Sequence, residues 1–433
     1  MIPKPPTLPS PACGGGLGWG PTLVDMERDS NKPEGRASEP MPWRLLCLLI
    51  AMTGVSSLSL NILVPAIPGL VVKFATDPAN VQLTVSLYLM GLAVAQLVFG
   101  PLSDRIGRRP AVLIGLALAT AASTSAIFAG TITSLVIWRF LQSLGASTGQ
   151  TIGRAIIRDL YAREQAASMI GLVTSAVVLM PMMAPLVGGI LDTLFGWESI
   201  FVFSAALAGL VFVWAVLALP ETRKISGVPA SRFVSDLRAL AASPRFFGYA
   251  LCAALGSAPF FSFLAGAPHL VVTMLQRTSA EFGLWFFLPS VGFMIGNFAV
   301  SRLTARFGID ALIWAGIALT IVGCLINAGV YAALPGWEMA TIFLPQVIVG
   351  IGNGLLLPTA VAGAVSIRPQ VAGTASGATG FIQMIIGAGA AQLSGYVVAG
   401  TASAMPLLLL MLFFGVATAA AVFTLVTRFS MAR

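Results

Sequence analysis

The stretch LAVAQLVFGPLSDRIGRRPAVLIGLALAT, residues 92–120, places a short basic segment between two apolar runs. The apolar runs extend over residues 79–101 and 110–129, and about 20 apolar residues suffice to cross the hydrocarbon core of a membrane. Three arginines lie in the segment between them. Because cationic loops stay on the cytoplasmic side of a membrane, the pattern predicts two transmembrane helices joined by a cytoplasmic loop.

The composition of the whole chain is typical of a membrane protein. Of 433 residues, 57% are hydrophobic and 9% are charged, whereas soluble domains carry about 25% charged residues. The four cysteines (Cys13, Cys47, Cys252 and Cys324) lie far apart and show no metal-binding spacing. We therefore expect an all-α membrane protein with no metal and no cofactor.

Apolar runs of similar length recur along the chain and predict twelve transmembrane helices in two six-helix bundles. The predicted spans are 43–68, 79–101, 110–129, 133–153, 165–190, 198–219, 246–269, 281–301, 311–331, 338–359, 373–398 and 404–427. The predicted domains are a disordered cytoplasmic tail (1–42), an N-terminal bundle (43–219), a cytoplasmic linker (220–245), a C-terminal bundle (246–428) and a second cytoplasmic tail (429–433). Met26 or Met41 could equally be the true start of the chain.

The distribution of positive charge predicts the orientation. With both termini in the cytoplasm, 21 of the 24 Lys and Arg residues fall on the cytoplasmic side. The same asymmetry accounts for the net charge of +8, so no nucleic-acid partner is indicated.

The two predicted bundles repeat each other faintly. SRLTARFG (301–308), after span eight, mirrors GPLSDRIG (100–107), after span two, and Gly145 in span four parallels Gly352 in span ten. Paired halves are the architecture with which alternating-access transporters rock around a central site.

Three segments carry a resemblance to a known family. GPLSDRIGRRP (100–110), WRFLQSLGASTGQTIGRAIIRD (138–159) and APLVGGIL (184–191) fall in the loop after span two, in span four and in span five. In this order they resemble signatures of the major facilitator superfamily. The combination is similar to the twelve-helix drug/proton antiporters, and RAIIRD points to the bicyclomycin and chloramphenicol resistance subgroup (Bcr/CflA).

The first segment is expected to form a short, rigid connector on the cytoplasmic side. Its glycines, Gly100 and Gly107, permit tight or left-handed turns, and Arg105, Arg108 and Arg109 hold the loop at the membrane surface. The resemblance implies that Asp104 is a conformational latch, which pairs with a nearby arginine or a helix N-terminus in one access state. The alternative is a loop charge that neutralises its neighbours.

Arg139 is the one charged residue well inside a predicted span, and such a charge is costly enough to indicate function. At about 1.5 Å per residue it shares a depth with Asn61 of span one. We expect Arg139 to face the central cavity close to span one, donating to backbone carbonyls, to Asn61 or to a substrate. A purely structural arginine is the alternative. Gln142 is either a second cavity residue or a helix-packing amide.

Span five contains the segment APLVGGIL, which begins at Ala184. Pro185 lacks an N–H donor and Gly188 and Gly189 lack side chains, so this helix should bend and cross a neighbour closely. We expect the neighbour to be span eight, through its small-residue face Gly292–Gly296. The resemblance implies that the segment marks antiporters and seals one side of the path.

The chain departs from the subgroup in span one, where Asn61 occupies the position of an acid. None of the 16 acidic residues falls inside the predicted membrane cores. Proton coupling would therefore run through Asp104, a carboxylate at a mouth of the path or His269; otherwise the substrate carries the proton, or coupling is weak.

We therefore expect a monomeric, multi-pass transporter of the bacterial inner membrane that exports small antimicrobial compounds, phenicol-like or bicyclomycin-like, against protons. Its partners would be the drug, protons and membrane lipids, with the proton gradient as energy source. The alternative is an uptake carrier or metabolite transporter with weak or no proton coupling. A membrane enzyme is disfavoured because no cluster of catalytic residues, P-loop or HExxH sequence is present.

Overall fold

Helices make up almost all of the chain that the structure, a computed structural model, describes. The described residues are 42–161, 163–177, 179–222, 237–240, 242–334, 338–368, 371–399, 401 and 403–427. Outside them lie three longer segments: the predicted tail 1–42 apart from Pro42, most of the predicted linker, and the last six residues. Pro42–Arg433 forms one compact unit, and the predicted division into two bundles remains a prediction.

Eight helices of the described chain precede the predicted linker. They are Trp43–Ile62 (α1), Ile67–Lys73 (α2), Pro78–Ile106 (α3), Arg108–Ile127 (α4), Ile132–Leu160 (α5), Arg163–Val177 (α6), Leu179–Phe195 (α7) and Glu198–Ala218 (α8). Between α1 and α2, Pro65 lies in a short 3-10 turn, because proline cannot donate the next helical hydrogen bond.

Six further helices of the described chain follow. They are Pro244–Pro268 (α9), Ser279–Trp285 (α10), Phe287–Ala333 (α11), Met339–Ser366 (α12), Ala372–Val398 (α13) and Met405–Val422 (α14). Single π-helical turns extend α9 through Met274 and α14 through Thr427.

Ten helical segments in the described part of the chain are long and apolar enough to cross a membrane. One of them, Ser279–Ala333, covers both predicted spans eight and nine, which are divided at Gly308. Predicted span four corresponds to α5, which is 29 residues long but is not among the ten. Its polar residues lower its hydropathy. Each predicted span therefore overlaps a helix, while the count of twelve crossings remains a prediction.

The outward faces of these helices are apolar, as lipid contact requires. On α8, Leu210 is 70% exposed and Leu217 is 81% exposed, and Phe413 on α14 is 63% exposed. A soluble protein would not present such a continuous apolar surface to water. The chain is thus a multi-pass membrane protein.

Equivalent glycines set equivalent helix crossings in the two parts of the chain. A Cβ atom on Gly145 of α5 would lie 2.3 Å from the carbonyl oxygen of Gly115 on α4. A Cβ atom on Gly352 of α12 would lie 2.7 Å from the carbonyl oxygen of Gly316 on α11. The close backbone approach at both places supports the internal repeat expected from the sequence.

Contacts between the first eight helices and the last six concentrate on two pairs. Helix α3 packs against α13, and α7 packs against the short helix α10. We call the end of the bundle that carries the connections 128–131 and 196–197 the outer end, and the opposite end the inner end. The α7–α10 contact lies at the outer end.

The predicted contact between spans five and eight exists, but its predicted face was wrong. A Cβ atom on Gly283 of α10 would lie 2.3 Å from the Pro185 carbonyl oxygen, so Gly283 gives the close approach. The expected face, Gly292–Gly296, instead packs against α12, where Val347 and Ile351 present their carbonyls. Both faces are rich in small residues, and α7 packs against the face nearer the outer end.

Candidate functional site

Helix α5 carries Arg139 into the interior near the outer end. The helix begins with a capping box. The Ser134 N–H donates to the Thr131 hydroxyl at 3.2 Å, and the Thr131 N–H donates to the Ser134 hydroxyl at 3.3 Å. This fixes the first turn of α5, two turns before Arg139. Arg139 is 1% exposed, so its guanidinium group is fully buried.

The guanidinium of Arg139 binds the carboxyl-terminal end of α1. It donates to the Ser59 carbonyl oxygen at 2.8 Å and, over longer distances, to the carbonyl oxygens of Leu60 (3.5 Å) and Thr84 (3.4 Å). Ser59 and Leu60 lie in the last turn of α1, where carbonyls lack partners within the helix. A cation there is also favoured by the negative end of the helix dipole.

Two further side chains complete the surroundings of Arg139. Its Nη1 donates to Gln142 Oε1 at 2.7 Å, and the Gln142 Nε2 donates to the Ser123 hydroxyl of α4 at 2.8 Å. The ring of Tyr88 on α3 lies 4.2 Å from the guanidinium carbon, within cation–π range. The Tyr88 hydroxyl in turn donates to the Ser56 carbonyl at 3.1 Å. One network therefore joins α1, α3, α4 and α5.

Asn61 lies beside this network without bonding to the guanidinium. Its Nδ2 donates to the Ser57 carbonyl at 2.8 Å, while its buried Oδ1 has no hydrogen-bond partner among the described residues. Of the acceptors expected for Arg139, the backbone carbonyls are therefore used and Asn61 is not. Gln142 is both a packing amide and a direct partner of the arginine.

The predicted latch loop is folded around a carboxylate that sequence analysis missed. Gly107 has φ 105°, a conformation that favours glycine, and it turns the chain into α4. Glu221, beyond α8, accepts from the backbone N–H groups of Arg108 at 3.0 Å and Arg109 at 3.2 Å. The carboxylate thus caps the positive end of α4, and Arg109 donates back to the Val216 carbonyl at 2.7 Å.

Asp104 pairs with the neighbouring Arg108 rather than with a helix end. Arg108 also donates to Asp159 of α5 at 2.9 Å and to the Ser103 hydroxyl at 2.6 Å. Arg108 therefore ties the end of α3 to the end of α5. Gly100 has open space around it, since no atom lies within 4 Å of the position that a Cβ atom would take.

The segment predicted to seal one side of the path forms tight backbone contacts. A Cβ atom on Gly188 would lie 1.9 Å from the Ile62 carbonyl oxygen of α1, and one on Gly189 would lie 2.2 Å from the Ser279 carbonyl oxygen of α10. Ala184 is completely buried. Pro185 lies inside α7. Gly188 therefore packs within the first group of helices, and Gly189 packs between the two groups.

A family model for the Major Facilitator Superfamily matches residues 49–392. The chain belongs to the Major Facilitator Superfamily. It is a membrane transporter and not an enzyme.

Three bacterial relatives of this transporter are named for drug transport or drug resistance. It is 30% identical to "Multidrug resistance protein D" of Escherichia coli (strain K12) over 346 residues, covering 79% of this chain and 86% of the relative. It is also 30% identical to "Chloramphenicol resistance protein" of Pseudomonas aeruginosa over 352 residues, covering 78% and 81%. "Multidrug transporter MdfA" of Edwardsiella piscicida is 29% identical over 333 residues, covering 74% and 79%.

Solved transporter structures share the fold. A bacterial homolog of the human lysosomal transporter Spinster, inward-facing and unoccupied, has a TM-score of 0.71 at 17% identity, covering 88% of this chain and 96% of that one. A D-xylose-proton symporter has a TM-score of 0.68 at 13% identity, covering 88% and 96%. At these identities the likeness extends to the fold alone.

Proposed function

We propose that this transporter exports small antimicrobial compounds from the bacterial cytoplasm, across the inner membrane and in exchange for protons. The observation that carries the proposal is the agreement of several relatives, at about 30% identity over most of the chain, that are named for multidrug or chloramphenicol resistance. Twelve membrane crossings, cytoplasmic termini and a monomeric state complete the proposal. Phenicol-like compounds are the first substrates to test.

The contacts at the outer end support alternating access. Helices α7 and α10 meet through Gly189 and Gly283, which bring backbone against backbone rather than interlocking long side chains. Such a backbone contact can separate without disentangling long side chains at that point. We therefore propose that the structure holds the outer end closed, and that rocking of the two helix groups opens it to release the drug.

Arg139 is proposed to set the position of the outer end of α1 during this motion. Its bonds to the Ser59 carbonyl and Gln142 are short, whereas those to Leu60 and Thr84 are near the limit of a hydrogen bond. The short bond to Ser59 therefore holds the last turn of α1 to α5, while the longer bond to Thr84 leaves α3 free to shift. The Oδ1 of Asn61, at the same end of α1, has no partner among the described residues and is then available to a substrate donor.

At the inner end, the proposed latch comprises Asp104 and Arg108 together with Gly100, Arg105, Gly107 and Arg109. Arg108 bridges two carboxylates, one on α3 and one on α5. We propose that these pairs form in one access state and break in the other, because α3 also packs on the opposite helix group through α13.

Uptake of a metabolite is the second candidate. It is favoured by Asn61, because an amide cannot carry a proton. The Bcr/CflA subgroup, which the chain resembles, has an acid at this position of span one. The two functions predict opposite effects on accumulation of the transported compound.

Expression in a bacterial host that lacks its major drug pumps separates these candidates. Export predicts lower accumulation of chloramphenicol and a higher inhibitory concentration, and uptake predicts the reverse or no change. Purified protein in vesicles should then move the drug when a pH gradient is imposed. Gly377→Ala serves as a control substitution that should behave like the parent protein, because no atom lies within 4 Å of the added methyl position. Unchanged accumulation across a panel of antimicrobial compounds would contradict the export proposal.

A further inference from the structure

The Ser279 hydroxyl group lies where α7 meets α10, between the two helix groups at the outer end. The Ser279 Oγ, at the start of α10, lies 2.7 Å from Asp192 Oδ2 on α7 and 3.1 Å from the Pro65 carbonyl oxygen. Ser279 is 8% exposed, and Asp192 is half-buried. The helix α7 extends to Phe195, five residues beyond predicted span five, which carries Asp192 into this contact.

The backbone around this hydroxyl is held in place independently of its hydrogen bonds. Gly189 contacts the Ser279 carbonyl, and Gly283 contacts the Pro185 carbonyl, in both cases too closely for any added side-chain atom. The Ser279 hydroxyl is therefore presented to both acceptors whenever α7 and α10 are together. We call these contacts of α7, α10 and Pro65 the outer seal.

The number of protons decides whether the three groups can all be satisfied. A serine hydroxyl has one proton to donate, whereas an ionised carboxylate and a carbonyl oxygen are both acceptors only. With an ionised Asp192, one of the two acceptors has no donor from Ser279. With a protonated Asp192, the carboxyl group donates to the Ser279 oxygen and the Ser279 hydroxyl donates to Pro65. The protonated acid thus completes a continuous chain of hydrogen bonds.

The charged groups around Asp192 do not supply an alternative partner in the described residues. From α8, the neighbouring Glu198 is a like charge. From α10, Glu281 is engaged with the Thr278 N–H at 3.0 Å and with Arg277 at 3.8 Å. The only charged residue of α1 is Arg44, at the opposite end of that helix, and the 3-10 turn at Pro65 has none.

We propose that Asp192 is a proton-binding site whose occupation closes the outer seal. The proton comes from water at the outer end, and the seal closes because the carboxylic acid, Ser279 and the Pro65 carbonyl then form an unbroken relay between the two helix groups. The proposal rests on proton-coupled export as the function, and it supplies a titratable group to a chain that has Asn61 where an acid is expected. Opening of the seal is accordingly linked to loss of this proton.

Distance measurements on the full-length protein in lipid vesicles test the proposal. Spin labels are placed at Gly130→Cys and Leu334→Cys, which are exposed at the outer end of opposite helix groups, in a background with the native cysteines replaced by alanine. We expect the interlabel distance of the otherwise unchanged protein to lengthen as the pH rises from about 4 to about 8. Asp192→Asn, whose amide can still donate to Ser279, should stay short across that range.

Two further variants sharpen the result. Ser279→Ala removes the relay without adding an atom to the backbone contact, so it should populate the long distance even at low pH. Glu281→Gln neutralises an acid on the same short helix outside the relay, and it should keep the pH response of the parent. In the parent protein, the infrared band of a protonated carboxyl group should disappear in step with the lengthening, and Asp192→Asn should lack that band.

A pH-independent distance in the parent protein would overturn the proposal. So would a pH response in Asp192→Asn or Ser279→Ala that equals the parent's, or an Asp192→Asn protein that stays open. Drug flux measured in the same vesicles separates this proposal from the proposed function. Flux that depends on the pH gradient without any response of the labelled pair refutes only the role of Asp192, whereas absence of drug flux with a normal response refutes only drug export.

Discussion

Gly189→Ala should open the outer seal, because the added methyl group collides with backbone across the boundary between the helix groups. The new Cβ would lie 2.2 Å from the Ser279 carbonyl oxygen, whereas ordinary contact begins at 3.4 Å, so α7 and α10 must separate locally by about 1.2 Å. Overpacking of this kind costs about 1–3 kcal/mol. Since the strain exists only in the closed state, the ratio of closed to open molecules should fall about 5- to 150-fold.

The labelled pair at residues 130 and 334 measures this shift directly. Two matched glycine variants serve as controls. Gly171→Ala has no atom within 4 Å of the new methyl and should leave the distance distribution unchanged. Gly188→Ala places its methyl 1.9 Å from the Ile62 carbonyl, within one helix group, so it should lower thermal stability rather than favour opening. If Gly189→Ala kept the parent's distance distribution at low pH, the reasoning from the backbone contact would be refuted.

Three other substitutions test the interior and the inner end. Arg139→Ala leaves the Ser59 carbonyl and Gln142 without their donor. We expect the variant to insert into the membrane, to lose about 1–3 kcal/mol of stability for each group left without a partner, and to confer no drug resistance. Full resistance in growth assays would contradict this. Asn61→Asp should strengthen or create pH-driven drug exchange in vesicles, whereas flux indifferent to pH and to the substitution would exclude span one from coupling. Glu221→Gln weakens the cap of α4 and should lower stability by about 0.5–2 kcal/mol, seen as a lower midpoint in thermal unfolding. The control is Asp77→Asn, an exposed acid at the start of α3 whose side chain makes no capping bond.

The sequence predicted the helices well because length and apolarity alone determine a membrane span. Predicted span 79–101 lies within Pro78–Ile106, and predicted span 373–398 coincides with Ala372–Val398 apart from one residue. Boundaries were less accurate at both ends, because a helix can continue past the apolar run: α5 extends seven residues beyond predicted span four, to Leu160, at the inner end, and α7 extends five residues beyond predicted span five, to Phe195, at the outer end. Asp192 shows this clearly: it follows predicted span five in the sequence, but it belongs to α7 in the structure.

The partners of the candidate residues were harder to predict, since they come from backbone and from distant parts of the chain. An interior arginine was evident from the sequence, but the Ser59 carbonyl that it binds is a feature of where α1 ends. Glu221 lies more than 100 residues after the N–H groups that it caps at the start of α4, and no local pattern connects them. A signal was nevertheless present, because Glu221 is the first acid after predicted span six.

Tyr88 was missed for a different reason. Its ring stacks near Arg139, and a tyrosine in an apolar span is usually interpreted as a packing residue. The preference of aromatic faces for cations could have suggested it once Arg139 was singled out.

The turn at Gly308 repeats the connector that contains Gly107, but its surroundings differ. Gly308 repeats the left-handed turn of Gly107, with φ 77° against 105°, but it is exposed and no atom lies within 4 Å of the position that its Cβ atom would take. No carboxylate among the described residues caps it as Glu221 caps the first connector. The duplicated turn is therefore a natural site for an inserted reporter domain, which would leave the charged connector in the other half undisturbed.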